Sequence, residues 1–572
     1  MSKHIPPSSN STGDYGRPPT KRRRIDFAPS INGRHREIGL LRRDGEQDGS
    51  SFVGSSSGIF FVRSVYNALQ NKSVMKSQTD LVPGEDDCLT NGPNRTSNTA
   101  LWAPAEVSDA ETITFDELRN MSDEYFNHWH PTFPYLHAPS FLESFDTISR
   151  SPLSSITKII DAHEHIMLKA VMSIAAADRR QCGRARNVPV PRSMLFSSFS
   201  EAIESVQQFL TLPASTRSLQ AVLAVELFLI TMLRHNGATR LGGLAVRLAF
   251  QLGLHRCPVR YSAFSLEEAQ MRKRIFWTTY CLDRILCQSL GLPLGIRDDD
   301  IDVCSFDYEK HQDPTLPQTP LQPRLASLHF LSKHARIKGM IVELCNKNID
   351  SRPINAEMCH VIDEAMGKWR NEIDAFIDLN PSHTEFSKAR KAALQALQYE
   401  CVIALNRPLL ALSKDSPDYM VALQTCINAS RNIIGGLHGK LIAHLGKVAS
   451  KDDNRVLTPL FWPSFTWMTW MSAFIILYAA SKNELQVEVA KQLVQKSIEV
   501  LGHLSSRGTV WPDACAAAIR ELSAKLSTSQ EIDKQVPRKD YVTPPLSHDY
   551  IAQEQQRLSL QQATPLRLQF CT

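Results

Sequence analysis

"TRLGGLAVRLAFQLGLHR", residues 239–256, carries apolar side chains at Leu241, Leu244, Ala245, Leu248, Ala249 and Leu252, at steps of i, i+3, i+4, i+7, i+8 and i+11. That spacing lines one face of an α-helix, and Gly253 supplies a stop because it tolerates the left-handed conformation that ends helices. Similar periodicity runs through 164–178, 218–233, 388–411 and 486–504, while alternating strand patterns with tight hairpin turns are missing. The expected fold class is all-α, with a multi-helix domain over residues 109–525 and disordered N- and C-terminal segments.

The neighbouring stretch, residues 265–302, continues the helical theme. Ser265-Leu266-Glu267-Glu268 fits the S-x-x-E capping box, in which each side chain satisfies a free backbone N–H of a new helix. Ile275, Thr279, Leu282, Leu286 and Leu290 then share a face, Glu268 and Arg272 stand at i, i+4 on another, and Gly291 with Pro293 ends a helix of about seven turns. Cys281 and Cys287 fall on different faces of it, without the spacing of shared metal ligands, and are expected to be small buried thiols.

The aspartates that follow invite two chemical readings. Asp298, Asp299 and Asp302 spell the DDxxD of magnesium–diphosphate chemistry, but that motif needs a helix, and here it follows Pro293 and Gly295. Asp298, Asp300, Asp302 and Glu309 occupy positions 1, 3, 5 and 12 of a calcium loop. Position 6 of that loop requires a positive φ, and the β-branched Val303 opposes it. The remaining reading is a scaffold turn whose aspartates accept backbone N–H groups or pair with cations such as Arg297 or Arg272 to Arg274.

The most apolar stretch, Val456 to Ser481, has no charge across 26 residues, long enough to span a bilayer. Pro459 and Pro463 stand early in it and its tryptophans lie near the centre, where an interfacial belt would not put them. A buried core helix, and no membrane association, is expected.

At the N-terminus, residues 1–50 are polar and rich in Ser, Pro, Gly and Arg, and read as disordered. Lys21, Arg22, Arg23 and Arg24 follow a proline pair there and form a candidate nuclear localisation signal for an import receptor. Residues 51–108 hold a short ordered island, with Phe61, Val65 and Leu69 at helical spacing, and a linker. Gly54-Ser55-Ser56-Ser57-Gly58 matches G-x-S-x-G by letter, yet has too little strand before it for a nucleophile elbow, so the serines are expected to cap a helix. Residues 526–572 read as a mobile polar tail. The net charge of +5 over 572 residues is too small for a basic field across the whole molecule, and the 12 cysteines lie singly, as in a reducing compartment. No residue is offered as catalytic or metal-binding, and no cofactor is expected.

The run Leu252 to Arg256, with Leu254, His255 and Arg256 at its end, followed by Arg274, Phe276, Trp277, Asp283, Arg284, Gly291, Pro293 and Ile296 to Asp302, strongly resembles the regulatory domain of fungal zinc-cluster transcription factors, the xylanolytic-activator-like group among them. "YFNHWHPTFPYLHAPSF" from Tyr125, "LNRPLL" from Leu405 and "VGSSSGIFFV" from Val53 extend the resemblance. Leu292 stands where the family has Arg in Gly-Arg-Pro. The family's DNA reader is a six-cysteine, two-zinc module of two C-x2-C-x6-C halves, whereas the first two cysteines here are Cys88 and Cys182. The resemblance implies a nuclear regulator of RNA polymerase II transcription and not an enzyme. Without thiolate ligands it would touch DNA weakly or through partners, related factors or itself as a dimer, unless an upstream zinc cluster is missing from these 572 residues. The alternative is a scaffold that senses a metabolite or inhibits an intact relative, with no direct DNA contact.

Overall fold

The computed structural model describes residues 39–43, 50–69, 82, 101–183, 189–311, 315, 320–346, 356–379, 384–411, 416–448 and 460–535. The Lys21 to Arg24 run and Cys88 lie outside these residues. The chain divides into two units, Met1–Ser523 and Ala524–Thr572.

The first unit opens with β1 (Leu40–Arg43) antiparallel to β2 (Ser50–Val53), Leu40 opposite Val53, and then α1 (Ile59–Leu69). The short β3 (Val107–Ser108) pairs in parallel with β4 (Val190–Pro191). Between these strands lie α2 (Phe115–Glu124), α3 (Ala138–Ser149), α4 (Ile156–Ile159) and α5 (Ala162–Gln181). After β4 come α6 (Phe199–Ser205), α7 (Thr216–Thr231), α8 (His235–Gln251), α9 (Leu266–Leu290) and α10 (Ala326–Asn346). The remainder is α11 (Ala356–Leu379), α12 (Thr384–Asn406), α13 (Pro417–Val448), α14 (Ser464–Ser481), α15 (Val487–Ser505) and α16 (Trp511–Gln535). The described part of the second unit is the end of α16. The all-α expectation is met, with strand confined to these short pairs among the described residues.

Helix boundaries follow local chemistry. Asp161, Ser215 and Ser265 accept the third-residue N–H of α5, α7 and α9 at 2.9, 3.0 and 3.2 Å, each satisfying a donor the helix leaves free. Thr114 and Glu117 complete a full capping box at α2. Gly253 and Gly291 stop α8 and α9 with φ of +66° and +68°; in both, the following residue's N–H reaches back, Leu254 to Ala249 and Leu292 to Cys287, each at 2.9 Å. The periodicity over 388–411 is cut at Asn406, with Arg407–Ala411 winding into a 3₁₀ turn, because Pro408 has no N–H for the α ladder.

Two helices form the interior. The α7 helix is buried from Leu219 to Ile230 on almost every face and packs against α5 and α8, while α8 passes the contact on to α9 and α9 to α10. The α14 helix, buried all round, is enclosed by α13, α15 and α1. It begins after Pro463 and holds 18 residues, so the apolar run is core. Among the described residues no helix is long and apolar enough to cross a membrane. A third cluster joins α10, α11 and α12 around Phe330, Ile337, Trp369 and Cys401.

Candidate functional site

Three segments far apart in sequence converge at the end of α9. Gly54 donates its N–H to Leu290 O at 2.8 Å, and a β-carbon on Gly54 or on Gly291 would fall inside the other glycine's backbone. The Ser55 hydroxyl donates to Cys345 O at 2.8 Å, and Asn346 donates to the Gly291 and Leu292 carbonyls at 3.1 and 3.2 Å. From the third segment, Arg407, fully buried, donates to Ser55 O and Ser56 O at 3.3 Å. The serines thus form a buried 3₁₀ turn instead of a nucleophile: Ser56 is 3% exposed, and Ser57 Oγ donates to Gly54 O at 2.6 Å. Ser57 is placed near the α1 start, its Oγ accepting from Ile59 N at 3.4 Å, a long and weak version of the expected cap.

The Asp-Arg pair of α9 organises the turn beyond. Arg284 is fully buried and donates to Asp283 Oδ2 at 2.6 Å, Ile296 O at 2.8 Å and Asp298 Oδ1 at 3.1 Å, while its guanidinium lies 4.2 Å from the centre of the Tyr280 ring. The Tyr280 hydroxyl also donates to Asp298, at 2.6 Å. Asp283 Oδ1 takes the Gly295 N–H at 3.1 Å, and any β-carbon at Gly295 would collide with that oxygen. Burial raises the Asp283 pKa against the lowering influence of Arg284, and burial together with the Asp283 charge holds the Glu226 carboxyl well above the ordinary range. This buried charge network fixes a turn and leaves no open coordination face, although Arg284 Nε and Glu226 Oε2 find no hydrogen-bond partner in it.

The aspartates disperse, as a scaffold would have them. Asp298 to Asp300 form a 3₁₀ turn off the helix. Asp298 faces Arg284 and Arg336, and Asp302 accepts the Cys257 N–H at 2.7 Å with Arg260 at 3.4 Å. The cations are therefore Arg284, Arg336 and Arg260, where the sequence pointed to Arg297 and Arg272 to Arg274. Arg272 instead reaches Leu252 O and lies 4.1 Å from the Phe264 ring centre, and Arg274 donates to Leu136 O at 3.0 Å. Distance, not chemistry, defeated the local guess: side chains of a helix reach the preceding turn and the neighbouring element.

The other motif residues are framework too. Leu254, Phe276, Cys281 and Cys287 are buried, and Arg256 is exposed. His255 gives its carbonyl to Asp302 N at 3.1 Å, Trp277 donates to Cys304 O at 3.2 Å, and Pro293 O accepts the Cys287 thiol at 3.2 Å. In the segment that begins at Tyr125, Trp129 donates to the buried Asp178 at 2.7 Å, which pairs with Arg507 at 2.7 Å.

Two arrangements escaped the sequence. An open cleft of about 830 Å³ runs between the α3 start and the α9 start, lined by His130, His137, Met271, Arg274, Arg324 and Phe376 among others. Burial first, then Arg274, lowers the His130 pKa to about 4, and burial lowers Arg274 to about 10. The second is a cluster of Cys257, Cys304, Glu309 and His311 whose ligand atoms all lie within 4.8 Å of one another. No sequence spacing reveals it, since its ligands come from two separate loops.

Comparison with known proteins fits this frame. Residues 123–371 match the family described as fungal specific transcription factor domain. A probable transcription factor of Fusarium proliferatum, FUP6, is 26% identical, over 88% of this chain and 80% of its own. The transcriptional activator protein acu-15 of Neurospora crassa is 25% identical, over 68% of this chain but 40% of its own length. The Fusaridione A cluster transcription factor fsdR of Fusarium heterosporum is 24% identical, over 76% of this chain and 82% of its own. These relatives are named as transcriptional regulators, and residues 123–371 of this chain are similar to the fungal specific transcription factor domain.

Proposed function

We propose that the chain is a nuclear regulator of RNA polymerase II transcription whose helical body is its regulatory part. The observation that carries the reading is the domain match over residues 123–371, set in relatives that are themselves transcription factors. Lys21 to Arg24 would engage an import receptor, and residues 1–572, which hold no C-x2-C-x6-C array, would themselves reach a promoter through a related factor. The test is chromatin immunoprecipitation of the protein tagged at its own locus. Occupied promoters, lost when related factors are deleted, are expected; occupancy that survives those deletions refutes the partner route, and no occupancy refutes the regulator.

The cleft with Arg274 and Arg324 favours a second reading, a metabolite-sensing scaffold that never meets DNA. Two cations beside the apolar Leu266, Met271 and Phe376 suit a small anionic effector with an apolar portion. Transcript profiles unchanged by deletion of the gene, together with retention of the protein outside the nucleus, would favour that scaffold.

A further inference from the structure

We propose that Cys257, Cys304, Glu309 and His311 form a zinc(II) site that fastens the turn after α8 to the loop following the aspartates. The four ligand atoms lie within 4.8 Å of one another. Around a zinc ion, with bonds of about 2.0–2.3 Å, tetrahedral ligands stand roughly 3–4 Å apart, so a slight contraction completes the polyhedron. Cys304 Sγ is 3.2 Å from His311 Nδ1, Cys257 Sγ is 3.4 Å from Glu309 Oε1, and that oxygen is 3.6 Å from His311 Nδ1.

The surroundings match what a zinc site needs beyond its ligands. Glu309 turns Oε1 into the cluster while Oε2 is held by the buried Lys273, which orients the carboxylate as outer partners of metal ligands do. The Lys310 backbone N–H donates to Cys304 Sγ at 3.3 Å, a bond that favours thiolate. The Cys257 N–H is held by Asp302, fixing the backbone beside the first sulfur. Both cysteines are buried. Two thiolates and Glu309 bring three negative charges, met by the ion and the Lys273 ammonium, so the partly buried assembly is neutral. On binding, both thiols release protons to solvent and His311 carries its proton on Nε2, which frees Nδ1 for the metal. Arg260, which reaches Nε2 at 2.7 Å from a half-exposed side chain, then swings away.

The chemistry selects zinc. Two sulfurs, one imidazole and one carboxylate suit a borderline-soft tetrahedral ion, and a full set of four protein ligands marks a structural, not a catalytic, site. It is separate from the six-cysteine module, which neither of these cysteines could supply by spacing.

The test uses the full chain, purified without a histidine tag and dialysed. Elemental mass spectrometry is expected to find one zinc per chain in the wild type and in the control Cys359→Ser, and a loss in Cys304→Ser and His311→Gln. If Cys304→Ser fails to fold, His311→Gln at the rim of the cluster and cobalt substitution of the wild type decide the matter. Co2+ should give the sulfur-to-metal and d–d bands of a tetrahedral thiolate site. Lys273→Met should weaken retention against a chelator roughly 10- to 100-fold. No stoichiometric zinc in the wild type, zinc retained by both ligand variants, or cobalt spectra without thiolate bands would overturn the proposal.

Discussion

Gly54 and Gly291 meet backbone to backbone: the Gly54 N–H is bonded to Leu290 O at 2.8 Å, and neither residue has room for a β-carbon. This is how the segment before α1 is locked to the end of α9. Two glycines are required there for different reasons, Gly54 by close approach alone and Gly291 also by its φ of +68°.

Alanine at either position should therefore undock the segment. Gly291→Ala carries a left-handed backbone cost of about 1–3 kcal/mol before any clash is counted, and Gly54→Ala carries the clash without that cost. Limited proteolysis should release a fragment cut within residues 50–69 from either variant, while the helical body stays resistant. Wild-type resistance in both variants would show that the contact is dispensable.

The Arg284 network makes a second expectation. Arg284→Met leaves Asp283 buried and facing no guanidinium, a loss of about 3–5 kcal/mol. Tyr280→Phe removes one hydrogen bond to a charged partner, worth about 1.5–3 kcal/mol. Arg284→Lys should resemble the methionine variant, since an ammonium cannot span Asp283, Ile296 O and Asp298 together. Denaturant midpoints of the three variants give the ranking.

Much of this framework was legible in sequence because it is local. Leu241 to Leu252, the Ser265 cap and the Gly291 stop are read from neighbours within a few residues, and each has its expected place. The convergence of Gly54, Gly291 and Arg407 was not legible, because nothing periodic relates positions hundreds of residues apart, and serines beside a helix look like caps whether or not they are buried. Cys257 and Cys304 were hidden likewise: metal spacing is recognisable when ligands share a turn, not when a fold joins two loops. The aspartates were half legible, their off-helix position from Pro293 and Gly295, their partners only from the fold: α9 and α10 for Asp298, the turn after α8 for Asp302.

Glu226 predicts a pH dependence. Burial, then the Asp283 charge, raises its pKa well above 4.5, so the proton it carries in the folded state has to be taken up there against a lower unfolded affinity. Its contribution is fully present below about 4.5 and is lost as pH rises toward the folded value, at roughly 1.4 kcal/mol per unit. Glu226→Gln removes that slope. The wild type should lose ground to the variant between pH 5 and pH 7, and parallel curves would refute a neutral Glu226.

His334 acts in the opposite direction. Burial, then Lys338, lowers its pKa from 6.5 to about 3, and its ring lies 5.2 Å from Trp369 with Nε2 donating to Leu397 O at 3.2 Å. A depressed base stabilises fully above about 6.5 and loses that contribution as pH falls toward 3, again by roughly 1.4 kcal/mol per unit. His334→Gln should flatten the acid limb of the stability profile, read by denaturation from pH 7 to pH 4.

Beside it, Lys338 and Glu400 form an ion pair of 2.8 Å that joins α10 to α12, both side chains 4% exposed or less. Removing one partner strands a charge in the core, so Lys338→Met should cost about 3–5 kcal/mol. Glu400→Leu in the same chain removes the stranded carboxylate and replaces the pair with apolar groups of similar size. The double variant should recover most of the loss, and the cycle should show strong coupling because the two residues touch. If the double variant is as unstable as the single, the pair's worth lies in its charges and not in the volume they fill.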